Sequence, residues 1–555
     1  MKIKVSELIV GFLKHLGVDV IYGMPGAHIL PVYDALYDSG IRAVLAKHEQ
    51  GAAFMAGGYA RATGRISACI ATAGPGATNL ITGVANAFAD NQPVLIITGE
   101  TPTYLFGKGG LQESSGEGGS FDQVALFAPI TRYCKSIQRT DYLGQVLLQA
   151  AKALRATNPG PVLLSIPFNV QNEWVESDLL KRFAPPAPAV DHRHSQQLLN
   201  RFIELLDQAN HPVIVAGYGA IRSGARQPLT ELSNLLRIPV ASSLKGKGVI
   251  NEQSELSLGS LGVTSSGIAY QYIVENADLL IILGASFNER TSYLWDPTLL
   301  EDRRIIQIDS DPHQLGKVLR TDLEICDDIH AVLTGLIDTL QQRNAKVQDS
   351  PPAIAAIEQM KSELKGDYTM FRSGFSLVEH FFSRLGRHFT GEIRVFDDNM
   401  IFAQNFYDVP ANHHYFPNSG ISSLGHALPA ALGAQFGAPL PSFAVLGDGG
   451  FQMCCMELMT AVNYAKPMNV VVFNNGTMGL IRKNQHQLYG QRYLNCDFVN
   501  PDFARLAESF GIQYKAVSDQ HDLDDLFDHY DLENGLNLID IALDKNAFPN
   551  YSSKR

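Results

Sequence analysis

The chain has 555 residues, 45% of them hydrophobic and 18% charged, the balance of a well-packed globular protein with room for about three or four domains. A net charge of −12 without any Lys/Arg run argues against nucleic-acid binding. No run of about 18 uninterrupted apolar residues occurs, so no membrane-spanning helix is expected.

The N-terminus, Met1 to Val5, leads straight into an amphipathic helix at 6–16 with no signal-peptide core. Strands are expected at 18–23, 43–46, 68–72, 93–98 and 161–166, with a small-residue helix at 51–63. Each strand runs into a loop rich in Gly and Pro with an unusual polar residue: Gly23-Met24-Pro25-Gly26, Lys47-His48-Glu49-Gln50, Ala73-Gly74-Pro75-Gly76-Ala77-Thr78-Asn79. One rim of a parallel sheet therefore holds a site. A proline-rich linker at 184–190 closes this first unit, 1–175. The second, 190–345, has strands at 212–217, 277–284 and 305–309. A polar connector at 343–370 leads to the third, 370–555, with strands at 393–396, 442–446, 469–473 and 537–541. The fold class is α/β: three doubly wound parallel-sheet domains, the first and third alike in element order. Six cysteines (Cys69, Cys134, Cys326, Cys454, Cys455, Cys496) show no repeated spacing, so neither a disulfide framework nor a zinc site is expected and a reducing cytoplasm is the default.

The stretch around which the chain is organised is Gly447-Asp448-Gly449-Gly450, joined by Asn474-Asn475-Gly476-Thr477. Each follows its own strand, and a segment of helical spacing at 453–466 lies between them, making a βαβ crossover with both polar loops at strand carboxyl ends. An Asp carboxylate and an Asn amide oxygen are hard ligands suited to Mg²⁺, which prefers few protein ligands plus phosphate oxygens and water. The glycines let backbone N–H groups approach an anion at a helix N-terminus. The pair reads as a Mg²⁺–diphosphate clamp, where a lone Gly-Asp-Gly would be a common turn. Glu49 precedes a helix too apolar to face solvent. It is either a helix N-terminal acid stabilised by the dipole or a carboxylate in an apolar pocket that shares a proton with a ring nitrogen.

Across essentially its whole length the chain resembles thiamin-diphosphate enzymes of the acetohydroxyacid synthase-like group. Gly23-Met-Pro-Gly-Ala, Lys47-His-Glu-Gln-Gly-Ala-Ala, Gly57-Gly-Tyr-Ala-Arg-Ala-Thr-Gly and Thr72-Ala-Gly-Pro-Gly-Ala-Thr-Asn match the pyrimidine-binding domain, and Gly447-Asp-Gly with Asn474-Asn475 the diphosphate-binding domain. The resemblance implies that Glu49 bonds the aminopyrimidine ring and promotes loss of the C2 proton. It implies that Asp448, Asn475 and the Thr477 carbonyl hold Mg²⁺, and that Leu424 forces the cofactor into its bent form. Gly26, Pro75 and Asn79 on the pyrimidine side, and Asn399, Met400, Gly447, Gly449, Gly450 and Met478 on the diphosphate side, are implied cofactor contacts. The Asp398-Asn399-Met400 stretch nevertheless departs from the usual Gly-Gln-His type. The resemblance further implies that the two half-sites come from different subunits of a homodimer, itself half of a homotetramer.

The middle unit resembles the same group at Gly217-Tyr-Gly-Ala-Ile-Arg-Ser-Gly224, Ser243-Leu-Lys-Gly-Lys-Gly248, Leu258-Gly-Ser-Leu-Gly262 and Phe287-Asn-Glu-Arg290. Such segments either line FAD, as in flavin-retaining relatives, or form a degenerate nucleotide fold that binds nothing. Arg290 either orients the second substrate through its carboxylate or lies on a flavin phosphate or the surface. Asn484 stands where the synthases carry a tryptophan that favours 2-ketobutyrate, which argues against branched-chain biosynthesis. Gln112 takes the active-site glutamine position if the glycine-rich residues after it are an insertion; otherwise Gly119 does. His28, absent from the synthases, resembles the proton-relaying histidine of benzaldehyde lyase, against a purely structural role. The expected activity is a carboligase that decarboxylates pyruvate or a similar 2-keto acid and passes the acyl carbanion to an aldehyde, ketone or keto acid. The alternative is a lyase or decarboxylase acting on 2-hydroxy ketones, 2-hydroxyacyl thioesters or 2-keto acids; a non-catalytic scaffold is the third reading.

Overall fold

The computed structural model describes residues 1–183, 196–343, 351–363 and 371–549; the proline-rich stretch 184–190 lies outside them. Three six-stranded sheets, parallel throughout, account for the architecture. In the first the spatial order is Arg42–Leu45, Val20–Gly23, Ser67–Ala71, Val94–Glu100, Val162–Pro167, Tyr133–Ser136. The third follows the same path: His413–Pro417, Ile393–Asp397, Ser442–Gly447, Met468–Asn474, Leu536–Ala542, Gln513–Val517. The middle sheet runs Ser257–Leu261, Val240–Ser243, Pro212–Ala216, Leu279–Leu283, Arg304–Asp309, Leu323–Cys326, the order of a dinucleotide fold with its switch point beside Pro212–Ala216. Apolar clusters cover both faces of each sheet, so the expected doubly wound α/β class is the observed one.

One of those clusters is shared. It runs from Tyr22, Ala52 and Met55 of the first sheet's layer to Phe396, Leu428 and Phe451 of the third. At its centre helix Glu49–Thr63 packs on helix Ala427–Ala434 at backbone distance. A Cβ on Gly58 would lie 2.1 Å from the Ala430 carbonyl oxygen, and one on Gly433 would lie 2.0 Å from that of Met55. The small residues of 51–63 are therefore the price of a close helix crossing rather than signs of weak structure. The middle unit is tied in where Arg61, over the Tyr218 ring, donates to the Pro417 carbonyl at 2.7 Å and Lys245 reaches Asp90 at 2.5 Å.

Several elements differ from expectation. The helix expected at 51–63 starts at Glu49, so Glu49 lies in its first turn and not at the end of strand Arg42–Leu45. The segment 453–466 is broken into helix Asp448–Cys454, a 3₁₀ turn Cys455–Glu457 and helix Leu458–Asn463. The break turns Glu457 toward the first unit, where its carboxylate binds backbone. The connector 343–370 contains a helix, Pro351–Ser362; 344–350 and 364–370 lie outside the described residues. Unexpected strands include Tyr133–Ser136, His413–Pro417 and Gln513–Val517, all at sheet edges.

Candidate active site

Strand Ser442–Gly447 is buried for its first five residues, and helix Asp448–Cys454 starts as it ends. Asp448 is 1% exposed. Its Oδ2 accepts from the N–H of Gly476 (2.6 Å), the N–H of Asn475 (3.2 Å) and the Asn500 amide (2.8 Å). Its Oδ1 accepts only from the Gly449 N–H (2.9 Å), which leaves a lone pair for a cation. Burial pushes this carboxyl above its ordinary range, against the pull of its four hydrogen-bond donors. The Thr477 hydroxyl is turned away, donating to the Cys496 carbonyl at 2.9 Å, while its N–H donates to Asn475 Oδ1 at 3.2 Å. Asp448, Asn475 and Thr477 all line one cavity, so three oxygen donors suited to Mg²⁺ converge there.

The same cavity is walled by Gly447, Gly449 and Gly450 beneath and by Asn399, Met400, Leu424 and Met478 around. A Cβ on Gly450 would lie 2.7 Å from the hydrogen-bonded Asp398 Oδ2 and one on Gly449 2.6 Å from Met478 Sδ, so a side chain at either would displace a wall residue. Asp398 accepts from the N–H groups of Gly425 (2.6 Å), His426 (2.9 Å) and Ala427 (3.1 Å), which fixes the turn bearing Leu424. Burial pushes its pKa up to about 6, and that of neighbouring Asp397 up to about 7. Asn399 has a left-handed φ of 65°, a conformation Asn tolerates, and its Oδ1 accepts from Arg290 Nη1 at 3.0 Å. Arg290 lines the middle-sheet cleft rather than this cavity and reaches it only through Asn399; its loop also holds Phe287, Tyr293, Leu294 and Trp295 in left-handed conformations, strain of a kind that gathers at functional positions. Asn484 does not line the cavity; it sits one helical turn beyond Ile481, which does.

A second cluster forms on the rim of the first sheet. Glu49, 9% exposed, accepts from the Asn79 amide at 2.9 Å on Oε2. A Cβ on Gly76, directly after Pro75, would lie 3.4 Å from Glu49 Oε1. Gln112 Oε1 meets His28 Nδ1 and Thr72 Oγ1, each at 3.2 Å, and the His28 N–H donates to Thr72. Gly26 is pressed against Thr72, where a Cβ would lie 2.5 Å away. Gln112, with left-handed φ of 55°, meets the His28 ring, while Gln171 donates to the His28 carbonyl at 2.7 Å; Gly119 is an exposed turn residue. None of these residues lines the Asp448 cavity of the same chain.

Three family models match in order: the thiamine pyrophosphate enzyme N-terminal TPP binding domain at 3–126, the central domain at 199–336, and the C-terminal TPP binding domain at 398–541. The chain is 32% identical to the probable acetolactate synthase large subunit of Methanocaldococcus jannaschii, over 98% of this chain and 92% of that one. The chain belongs to the thiamine pyrophosphate enzymes. It is also 33% identical to the acetolactate synthase large subunit of Corynebacterium glutamicum, over 91% of this chain and 81% of that one. For that of Lactococcus lactis subsp. lactis the identity is 32%, over 94% and 89%. The structure thus holds two separate polar groupings, a cluster about Glu49 on the first sheet's rim and a cavity about Asp448 on the third's. Sequence reasoning missed Asn500, which bridges Asp448 and Asn474 Oδ1 at 2.8 Å each and accepts from Gln452 at 2.6 Å. It also missed the cap that Asp398 makes under Leu424; Asn500 lies in no motif, and only the folded distances reveal either contact.

Proposed function

We propose that the protein is a carboligase that decarboxylates pyruvate or a similar 2-keto acid and joins the acyl unit to an aldehyde, ketone or keto acid. The observation that carries this reading is the convergence of Asp448, Asn475 and Thr477 on a cavity otherwise walled by Met400, Phe402, Leu424, Phe473 and Met478. In this proposal Asp448, Asn475 and Thr477 would hold Mg²⁺ and through it the diphosphate, beside the bare backbone of the glycine turn. When bound, thiamin diphosphate supplies the electron sink that makes loss of CO₂ and transfer of an acyl carbanion feasible. Glu49 holds a proton toward the ring nitrogen, and the Asn79 amide on Oε2 keeps Oε1 free for it. Leu424, set by Asp398, limits the cofactor to its bent shape. The apolar wall excludes water, which favours loss of a charged carboxylate as neutral CO₂. Arg290, held by Asn399, offers a guanidinium fork to an acceptor carboxylate.

Two further parts belong to the proposal. A cleft at the carboxyl ends of the middle-sheet strands, lined by Tyr218, Gly219, Arg222, Lys245, Asn288 and Asp309, suits FAD: it lies at the switch point and carries cations for a diphosphate. A homodimer, paired into a homotetramer, would bring the Glu49 cluster of one chain to the Asp448 cavity of another; the separation of the two within a chain supports this. Among the described residues no helix is long and apolar enough to cross a membrane. The six cysteines are free thiols, which suits a cytoplasmic setting.

The lyase or decarboxylase reading is favoured by the contact of His28 with Gln112 at 3.2 Å, an imidazole placed to move a proton. Incubating the enzyme with pyruvate, with and without an added aldehyde, and separating the products distinguishes the two. Acetolactate or a mixed acyloin supports the carboligase; acetaldehyde without any C–C product contradicts it.

A further inference from the structure

Glu457 is a buried carboxylate that no step above uses. It is 3% exposed and ends the 3₁₀ turn directly after the helix that begins at Asp448. Its Oε1 accepts from the backbone N–H groups of Lys47 (3.0 Å) and His48 (3.1 Å), the two residues before Glu49. Its Oε2 accepts from the Thr460 hydroxyl at 2.7 Å, and that hydroxyl also lies 3.4 Å from the Leu45 carbonyl. A Cβ on Gly51 would lie 2.2 Å from Oε1, so glycine at 51 is what lets the carboxylate reach the loop. The next amide, that of Gln50, is taken by His48 Nδ1 at 3.1 Å. The start of the Glu49 helix is thus held by a group from the third unit of the same chain.

We infer that Glu457 is a positioning residue for Glu49: it fixes the 47–48 backbone and thereby the direction of the Glu49 carboxylate. This rests on the catalytic role proposed for Glu49. Two part-buried amides share one charged acceptor whose own side chain is buried, an arrangement stronger than neutral bonds and stiff enough to set a side-chain origin. Glu457, the carboxylate that sets the catalytic acid, lies nine positions after Asp448, the one that would hold the metal. A single helical segment therefore faces the diphosphate cavity at one end and grips the Glu49 loop at the other.

The test measures exchange of the cofactor C2 proton for deuterium in full-length holoenzyme saturated with thiamin diphosphate and Mg²⁺. Glu457→Ala leaves both amides without acceptor and should slow exchange on the order of 10- to 100-fold, as expected for displacement of a catalytic group by about 1 Å. Glu457→Gln keeps an oxygen for the two amides, and the Thr460 hydroxyl can turn to accept from its NH₂, so exchange should stay within about threefold of wild type. Wild-type exchange in folded Glu457→Ala would overturn the inference, leaving Glu457 a prop of the fold alone. If that variant does not fold, Gly51→Ala, which drives a methyl into Oε1, should slow exchange; an unchanged rate there overturns the inference equally. Glu49→Gln is measured in parallel. Loss of exchange in it with none in the Glu457 and Gly51 variants refutes only the positioning role, whereas wild-type exchange in Glu49→Gln refutes the role of Glu49 itself.

Discussion

Mixing two inactive variants probes the division of the site between chains. Glu49→Gln removes the carboxylate proposed to hold the proton and Asp448→Asn the proposed metal ligand, and within one chain these residues belong to separate clusters, Glu49 lining no part of the Asp448 cavity. If a site takes Glu49 from one chain and Asp448 from its partner, each homodimer of either variant has two broken sites. A mixed dimer concentrates both lesions in one site and leaves the other intact. Random pairing makes half of the dimers mixed, each with one working site of two, so activity should return to about one quarter of wild type in an isologous dimer. The assay is C–C product formation after the two variants are co-refolded or co-expressed, with each variant alone as baseline. Recovery near that level supports the shared site. Activity no greater than the two baselines, with mixed dimers verified by differential tags, would refute it.

Three other outcomes follow from the geometry. Gly58→Ala forces a methyl to 2.1 Å from a backbone oxygen that cannot move alone, and should cost about 1–3 kcal/mol, seen as a lower Tm and weakened cohesion of the first and third units. The Asp398 carboxyl, pushed up to about 6, keeps a proton in the folded chain that the unfolded chain has released. Its contribution is full below the ordinary Asp range and is lost as pH rises through 6. Between pH 5 and 8 wild type should therefore lose about 1 kcal/mol more stability than Asp398→Asn, checked by denaturant unfolding of the apo-protein at both pH values. A visible-absorption spectrum of the purified protein should show bound flavin, and its absence after reconstitution with FAD would remove the flavin from the account.

Much of the site was legible because its parts are local. Asp448 and Asn475 follow apolar β-branched strands, so their placement at strand ends could be inferred from pattern alone. Strand Gln513–Val517 was not, since an edge strand with exposed and half-buried residues lacks the apolar run that marks a central one. The start of helix Glu49–Thr63 was misplaced by two residues because amides just before it are capped by Glu457, 410 positions away from Lys47. Asn500, and the cap Asp398 makes on the 425–427 amides, were invisible for the same reason: the partners are distant in sequence, and no periodicity encodes a contact between loops. The contact of Gln112 with His28 was not legible either, since the fold brings the two together across 84 residues.

The most direct measurement is a calorimetric titration of thiamin diphosphate into the apo-enzyme, with Mg²⁺, after chelation, and in Asp448→Asn. The account predicts saturable binding that needs the metal and is lost or weakened at least tenfold in the variant. Equal affinity in all three titrations would contradict the claim that Asp448 and its neighbours anchor the cofactor through a divalent ion.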